Sequence, residues 1–116
     1  NDVSKPVRGS RIHVLGVSYK RDIDDVRESP AIDIMLLLEK LGAEVSYSDP
    51  HIPTLKVDDR SWTSRDLASA LPECDCAVIV TDHRSFDYAA ILDQASLIVD
   101  TRNAMKGFDS PKITRL

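Results

Sequence analysis

The stretch that decides the fold opens with Arg11-Ile12-His13-Val14-Leu15-Gly16-Val17 and resumes, after a charged loop, with Ser29-Pro30 and the apolar run to Leu41-Gly42. The first part is a short apolar run that suits a buried strand, with Gly16 punctuating its C-terminal end. Ser29 can cap the free N–H groups of a helix start, and Pro30 fits a first helical position that needs no donor. Ile34, Leu37, Leu38 and Leu41 fall at helical spacing, and Gly42 is a good stop. Glu44-Val45-Ser46-Tyr47-Ser48-Asp49-Pro50 then alternates apolar and polar like a strand ended by proline.

Outward from this strand–helix–strand unit, residues 64–71 predict a short helix ending before Pro72. Residues 76–80 predict an apolar strand, 88–93 a short helix and 97–100 another strand. Residues 51–62 read as loop with a short extended piece. The tail from Asn103, broken by Gly107 and Pro111, receives no assignment, and residues 1–10, with Pro6 and Gly9, read as a linker leading into one domain over 11–116. Alternating strands and helices imply right-handed βαβ units around a parallel sheet. The expected class is α/β, a Rossmann-like three-layer sandwich with a mainly parallel sheet. Such sheets bind ligands at the carboxyl ends of their strands, and polar groups follow those ends here: Tyr19-Lys20, Asp49, Asp82-His83 and Arg102.

Composition narrows the function. A chain of 116 residues with 42% hydrophobic and 29% charged residues is one ordinary globular domain. Its net charge of -4 argues against nucleic acid or an anionic membrane as a general partner. No apolar run approaches the roughly 20 residues that span a bilayer, and no secretory signal is evident. Cys74 and Cys76, one residue apart, do not resemble a secreted disulfide framework, so a reduced, cytoplasmic protein is expected.

The first βα turn lacks a dinucleotide fingerprint, because Gly16 stands without the further glycines that let backbone approach a pyrophosphate. An independent NAD site is therefore not expected, and Asp49-Pro50 reads as a strand-ending turn. Lys20, Arg21 and Arg27 beside a helix N-terminus suit an anion, although surface ion pairs are the commoner outcome of such a loop. Two cysteines do not make a zinc site, and small buried side chains are the better reading. His13, His51 and His83 show no ligand spacing, and no Ser/His/Asp arrangement can be assigned from sequence.

The run from Val14 to Pro30, with Gly16-Val17-Ser18-Tyr19-Lys20-Arg21-Asp22 and Val26-Arg27-Glu28-Ser29-Pro30, closely resembles a signature of the UDP-glucose/GDP-mannose dehydrogenase family. Gly42-Ala43-Glu44-Val45, Asp49-Pro50, Thr81-Asp82-His83 and Val99-Asp100-Thr101-Arg102 follow in family order. The resemblance covers residues 11–104 and implies the C-terminal, UDP-sugar-binding domain of an enzyme that oxidises the sugar C6 alcohol to a carboxylate in two NAD-dependent steps. It implies that Tyr19, Lys20 and Arg102 contact the UDP-sugar, and that Arg27 reaches NAD from across the cleft. It also implies that NAD and the catalytic cysteine belong to an N-terminal domain absent here, so the isolated chain should be inactive, and that the full-length enzyme is a homodimer or larger. The forms of residues 22–30 and 81–83 look most like the branch acting on UDP-N-acetyl-hexosamines. A receiver-like signalling module is the rival from another class. It wants an acidic pair after the first strand, where Ser18-Tyr19-Lys20 stands. A stand-alone nucleotide-binding domain is the third reading.

Overall fold

The computed structural model describes residues 7–18, 29–57 and 59–116. Strands β1 (Arg11–Leu15), β2 (Glu44–Ser48), β5 (Cys76–Ile79), β6 (Ile98–Asp100) and β7 (Ile113–Arg115) form one sheet in the order β2-β1-β5-β6-β7. Every pairing in it is parallel. Strands β3 (Thr54–Val57) and β4 (Arg60–Thr63) form a separate antiparallel hairpin. The helices are α1 (Pro30–Lys40), α2 (Leu67–Ala70), continued by a 3-10 turn over Leu71–Glu73, and α3 (Tyr88–Gln94).

The three-layer expectation holds because alternate strand residues enter two different cores. Val14, Val17, Ala31, Met35 and Tyr47 pack on one face with Leu55 and Trp62 of the hairpin. Leu15, Ala77, Ile79 and Ile98 pack on the other with Leu71, Ile91 and Met105. A parallel sheet buried on both faces reads as nearly continuous apolar sequence, which is how β1 and β5 read.

Helix α1 begins as its sequence predicts, since the Ser29 side chain accepts from the Ala31 N–H and Pro30 occupies the first turn. Of the residues noted for their helical spacing, Ile34 packs against the core while Leu37 and Leu41 do not. Ala31 and Met35 are buried, whereas Leu37 is 57% and Leu41 47% exposed. With apolar residues on nearly every side of α1, spacing specifies a helix but not the side that meets the sheet. Two elements depart from the sequence reading. The stretch read as loop with a short extended piece forms the full β3–β4 hairpin, and the unassigned tail supplies β7, an edge strand of three residues. Both are too short for a period of two to stand out from turn residues such as Pro53, Asp59 and Pro111.

Candidate functional site

The chain leaves β1 for β2 on one side and reaches β5 on the other, so the carboxyl ends of β1 and β5 flank the point where strand order reverses. In open α/β sheets this crevice is where ligands bind. The two strand ends meet tightly. Gly16 has φ 86°, and a Cβ there would lie 2.5 Å from the Thr81 carbonyl oxygen. Only glycine tolerates both the backbone conformation and the contact. Past Gly16, the Thr81 hydroxyl donates to the Ser18 carbonyl at 2.8 Å.

Asp49, one residue beyond β2 and only 4% exposed, ties this corner together. Its Oδ2 accepts from the Val17 N–H at 2.8 Å, the Ser18 N–H at 3.1 Å and His83 Nε2 at 2.9 Å, while Oδ1 accepts from the His51 N–H at 2.8 Å. Burial alone pushes the Asp49 carboxyl up, but the bonds from His83 and from the His51 and Val17 amides outweigh it and hold the carboxyl below its ordinary value. Because a carboxylate can only accept, His83 Nε2 carries the proton it donates.

Ser18 Oγ stands 3.0 Å from the same Nε2. Serine, histidine and aspartate thus converge, but not as a nucleophilic triad. A relay needs the hydroxyl on one ring nitrogen and the carboxylate on the other. Here both approach Nε2, so the imidazole cannot take the serine proton while held by Asp49. The cluster is a frame for the segment that leads into Tyr19 and Lys20.

A second buried carboxylate organises the exit of β6. Asp100, 1% exposed, accepts from the Arg102 and Ala104 N–H groups through Oδ1, both at 3.0 Å, and from the Met105 N–H through Oδ2 at 2.8 Å. Thr101 Oγ1 donates to the Ile79 carbonyl at 2.6 Å, fastening the loop to β5. Arg102 therefore rises from a fixed backbone on the expected edge of the sheet. Its side chain is exposed and makes no hydrogen bond or ion pair among the described residues. Of the residues expected to bind ligand, Arg102 alone can be located. Tyr19, Lys20 and Arg27 lie outside the described residues.

The other candidates take structural places. His13 is fully buried, with Nδ1 2.7 Å from Ser46 Oγ and Nε2 2.7 Å from Ser48 Oγ. Burial, helped by the Arg65 charge, lowers its pKa to about 4, so it is a neutral strut. Burial pushes the Cys76 thiol up to about 11 and raises Cys74 as well, which leaves both protonated and poorly nucleophilic at neutral pH. Among the described residues no group of three His, Cys, Asp or Glu side chains could hold a metal. A polar cleft of about 290 Å³ lies away from the carboxyl edge, lined by Arg11, Glu44, Ser46, Arg65, Glu73 and Cys74. Its ions are already matched, Arg11 to Glu44 and Arg65 to Glu73, each at 3.2 Å, so it offers little net charge to a ligand. No helix among the described residues is long and apolar enough to cross a membrane.

Sequence reasoning took Asp49-Pro50 for a turn and missed that Asp49 holds β1 and β5 together. Apart from the His51 N–H, the donors to its carboxylate are 31 to 34 residues away, so no local pattern announces them. Asp100 was legible in principle, because its partners lie two to five residues ahead, as in a side-chain-capped turn.

Residues 13–107 match the model of the UDP-glucose/GDP-mannose dehydrogenase family, UDP binding domain. The chain is 36% identical over 104 residues to the UDP-glucose 6-dehydrogenase of Rhizobium meliloti (strain 1021), covering 84% of this chain and 24% of that protein. It is 35% identical over 86 residues to the UDP-N-acetyl-D-mannosamine dehydrogenase of Campylobacter jejuni, covering 71% of this chain and 21% of that protein. The solved UDP-D-ManNAc dehydrogenase of Pyrococcus horikoshii superposes with a TM-score of 0.74 at 29% identity, over 96% of this chain and 26% of that one. The chain spans about a quarter of the length of the relatives it matches.

Proposed function

The chain belongs to the UDP-glucose/GDP-mannose dehydrogenase family, and from that premise we propose that it grips the nucleotide of a UDP-sugar within an NAD-dependent UDP-sugar 6-dehydrogenase. The observation that carries the reading is Arg102, an exposed guanidinium with no partner among the described residues, on a loop fixed at the carboxyl edge. A UDP diphosphate carries negative charge that Arg102 meets as a planar fork and Lys20 as a point charge. Tyr19 offers the nucleotide a ring face and a hydroxyl. Residues 11–116 form this domain, with residues 1–10 leading into it.

The cofactor belongs elsewhere. Gly16 makes the tight turn against Thr81, but the second and third glycines of a dinucleotide fingerprint do not follow it. NAD, which accepts the hydride in each oxidation, is therefore assigned to a separate N-terminal domain that also carries the catalytic cysteine. Arg27 reaches it from this side of the cleft. The full-length enzyme is a cytoplasmic homodimer or larger assembly, and the forms of residues 22–30 and 81–83 favour a UDP-N-acetyl-hexosamine over UDP-glucose. A receiver-like module is not favoured, because Ser18 stands where its acidic pair is needed.

The test is turnover by the complete protein with NAD and a panel of UDP-sugars, followed by absorbance of the reduced cofactor. Two equivalents of reduced cofactor per sugar are expected, fastest with UDP-N-acetyl-hexosamines, and none from the 116-residue chain alone. Failure of the complete protein with every UDP-sugar, or reduction by the isolated chain, contradicts the proposal.

A further inference from the structure

Arg102 has to present its guanidinium without help from a neighbouring acid, since its side chain has no partner among the described residues. What holds it is below it. The loop after β6 turns through Asn103 at φ 58°, a left-handed conformation that asparagine accepts more readily than most residues. It then dives to Met105, which is fully buried in the core. Arg115 of β7 donates to the Met105 and Phe108 carbonyls, and the Leu116 N–H donates to the Asp100 carbonyl at 3.1 Å. The loop is closed from beneath by β7 and from within by the Asp100 carboxylate.

We infer that Asp100 is a positioning residue for nucleotide binding, which pre-forms the loop that presents Arg102. The inference rests on the reading of Arg102 as a nucleotide contact. Three backbone donors converge on the two carboxylate oxygens, one of them the N–H of Arg102 itself. A loop ordered before the ligand arrives spares the binding step the cost of ordering it. The carboxylate is needed for its chemistry as well as its shape. Asparagine offers one oxygen, and its NH2 group would face a backbone N–H on either side.

Calorimetric titration of UDP into the complete enzyme, comparing wild type, Arg102→Ala, Asp100→Asn and the double variant, tests this. Asp100→Asn should weaken UDP binding about tenfold, the size of one lost charge-assisted contact. It should raise the KM for the nucleotide sugar alike, leave the KM for NAD unchanged, and add no further loss in the Arg102→Ala background. If Arg102→Ala binds UDP as wild type does, the reading of Arg102 fails and the inference with it. If Arg102→Ala weakens binding but Asp100→Asn does not, or if Asp100→Asn causes its full loss in both backgrounds, the inference alone is overturned. Should Asp100→Asn not fold, hydrogen exchange of the unliganded wild type decides. The Arg102, Ala104 and Met105 amides are then expected to be protected about 100-fold, and exchange at the rate of an unstructured chain overturns the inference.

Discussion

Asp49 and Asp100 sit at the carboxyl edge of the same sheet, both nearly sealed from solvent, and both spend their oxygens on backbone N–H groups. They differ in reach. Asp49 collects donors from the end of β1 and from His83 beyond β5, so one carboxylate joins three strands. Among the described residues, the Asp100 carboxylate collects donors only from the five residues that follow it. The first arrangement stabilises the fold at the crevice, and the second shapes one loop on a fold that already exists. A carboxylate that crosslinks strands should therefore be felt throughout the domain, and one that caps its own loop should be felt mainly at the ligand.

The sharpest way to break this contrast is Asp49→Ala. It removes the carboxylate from His83 and the acceptor from three buried or half-buried amides, and since each unsatisfied buried donor costs about 1–3 kcal/mol, a total loss of about 3–5 kcal/mol is expected. Denaturant unfolding should show that loss. A change of less than about 1 kcal/mol, the net size of a single hydrogen bond, would mean that Asp49 is no crosslink.

Acid should separate the two regions next. His13 bridges Ser46 and Ser48 beside the Asp49 corner, and its pKa falls from 6.5 unfolded to about 4 folded. The unfolded chain then binds more protons between those values, so stability declines as pH drops from about 6.5 towards 4, by at most about 3 kcal/mol. Asp49 acts lower. Its carboxyl is depressed on folding, so its contribution is complete above the ordinary value of 3.8 and is lost as pH falls through the folded value. Melting temperature against pH should show the first decline in wild type and a flatter profile in His13→Gln. Equal slopes would remove His13 from the account.

Asp100→Ala should cost less, about 1–3 kcal/mol, because water can reach the half-buried Arg102 and Ala104 amides and only Met105 N–H is deeply placed. A loss as large as that of Asp49→Ala in the same denaturant series would erase the distinction. Arg102→Ala is the smallest perturbation of the fold, within about 0.5 kcal/mol, because the side chain is exposed and has no partner among the described residues. A marked drop in melting temperature would show that Arg102 serves the structure rather than a ligand.

The same difference in reach explains what the sequence made legible. The start of α1 was plain, because Ser29 and Pro30 act on the next turn of their own helix. Strands β1, β5 and β6 were plain because their apolar residues cluster, and β2 because its apolar and polar residues alternate. Arg102 was placed on the correct edge because a parallel strand fixes which end its loop leaves. Only the local role of Asp49 was legible, its bond from the His51 N–H, because its other donors come from distant strands, and helical spacing alone did not show which face of the almost wholly apolar α1 the sheet covers. Properties set within one turn can be read from sequence; those set by the meeting of distant strands need the fold.

The central claim is that the nucleotide lies along the carboxyl edge, between the ends of β1 and β5 and the loop after β6. Titrating UDP into the isotopically labelled 116-residue chain and following its amide resonances tests this directly, and weak binding suffices for the measurement. Shifts concentrated at residues 16–20, 81–83 and 101–105 are the predicted result. Shifts concentrated around Arg11, Glu44 and Glu73, with the carboxyl edge unmoved, would contradict it.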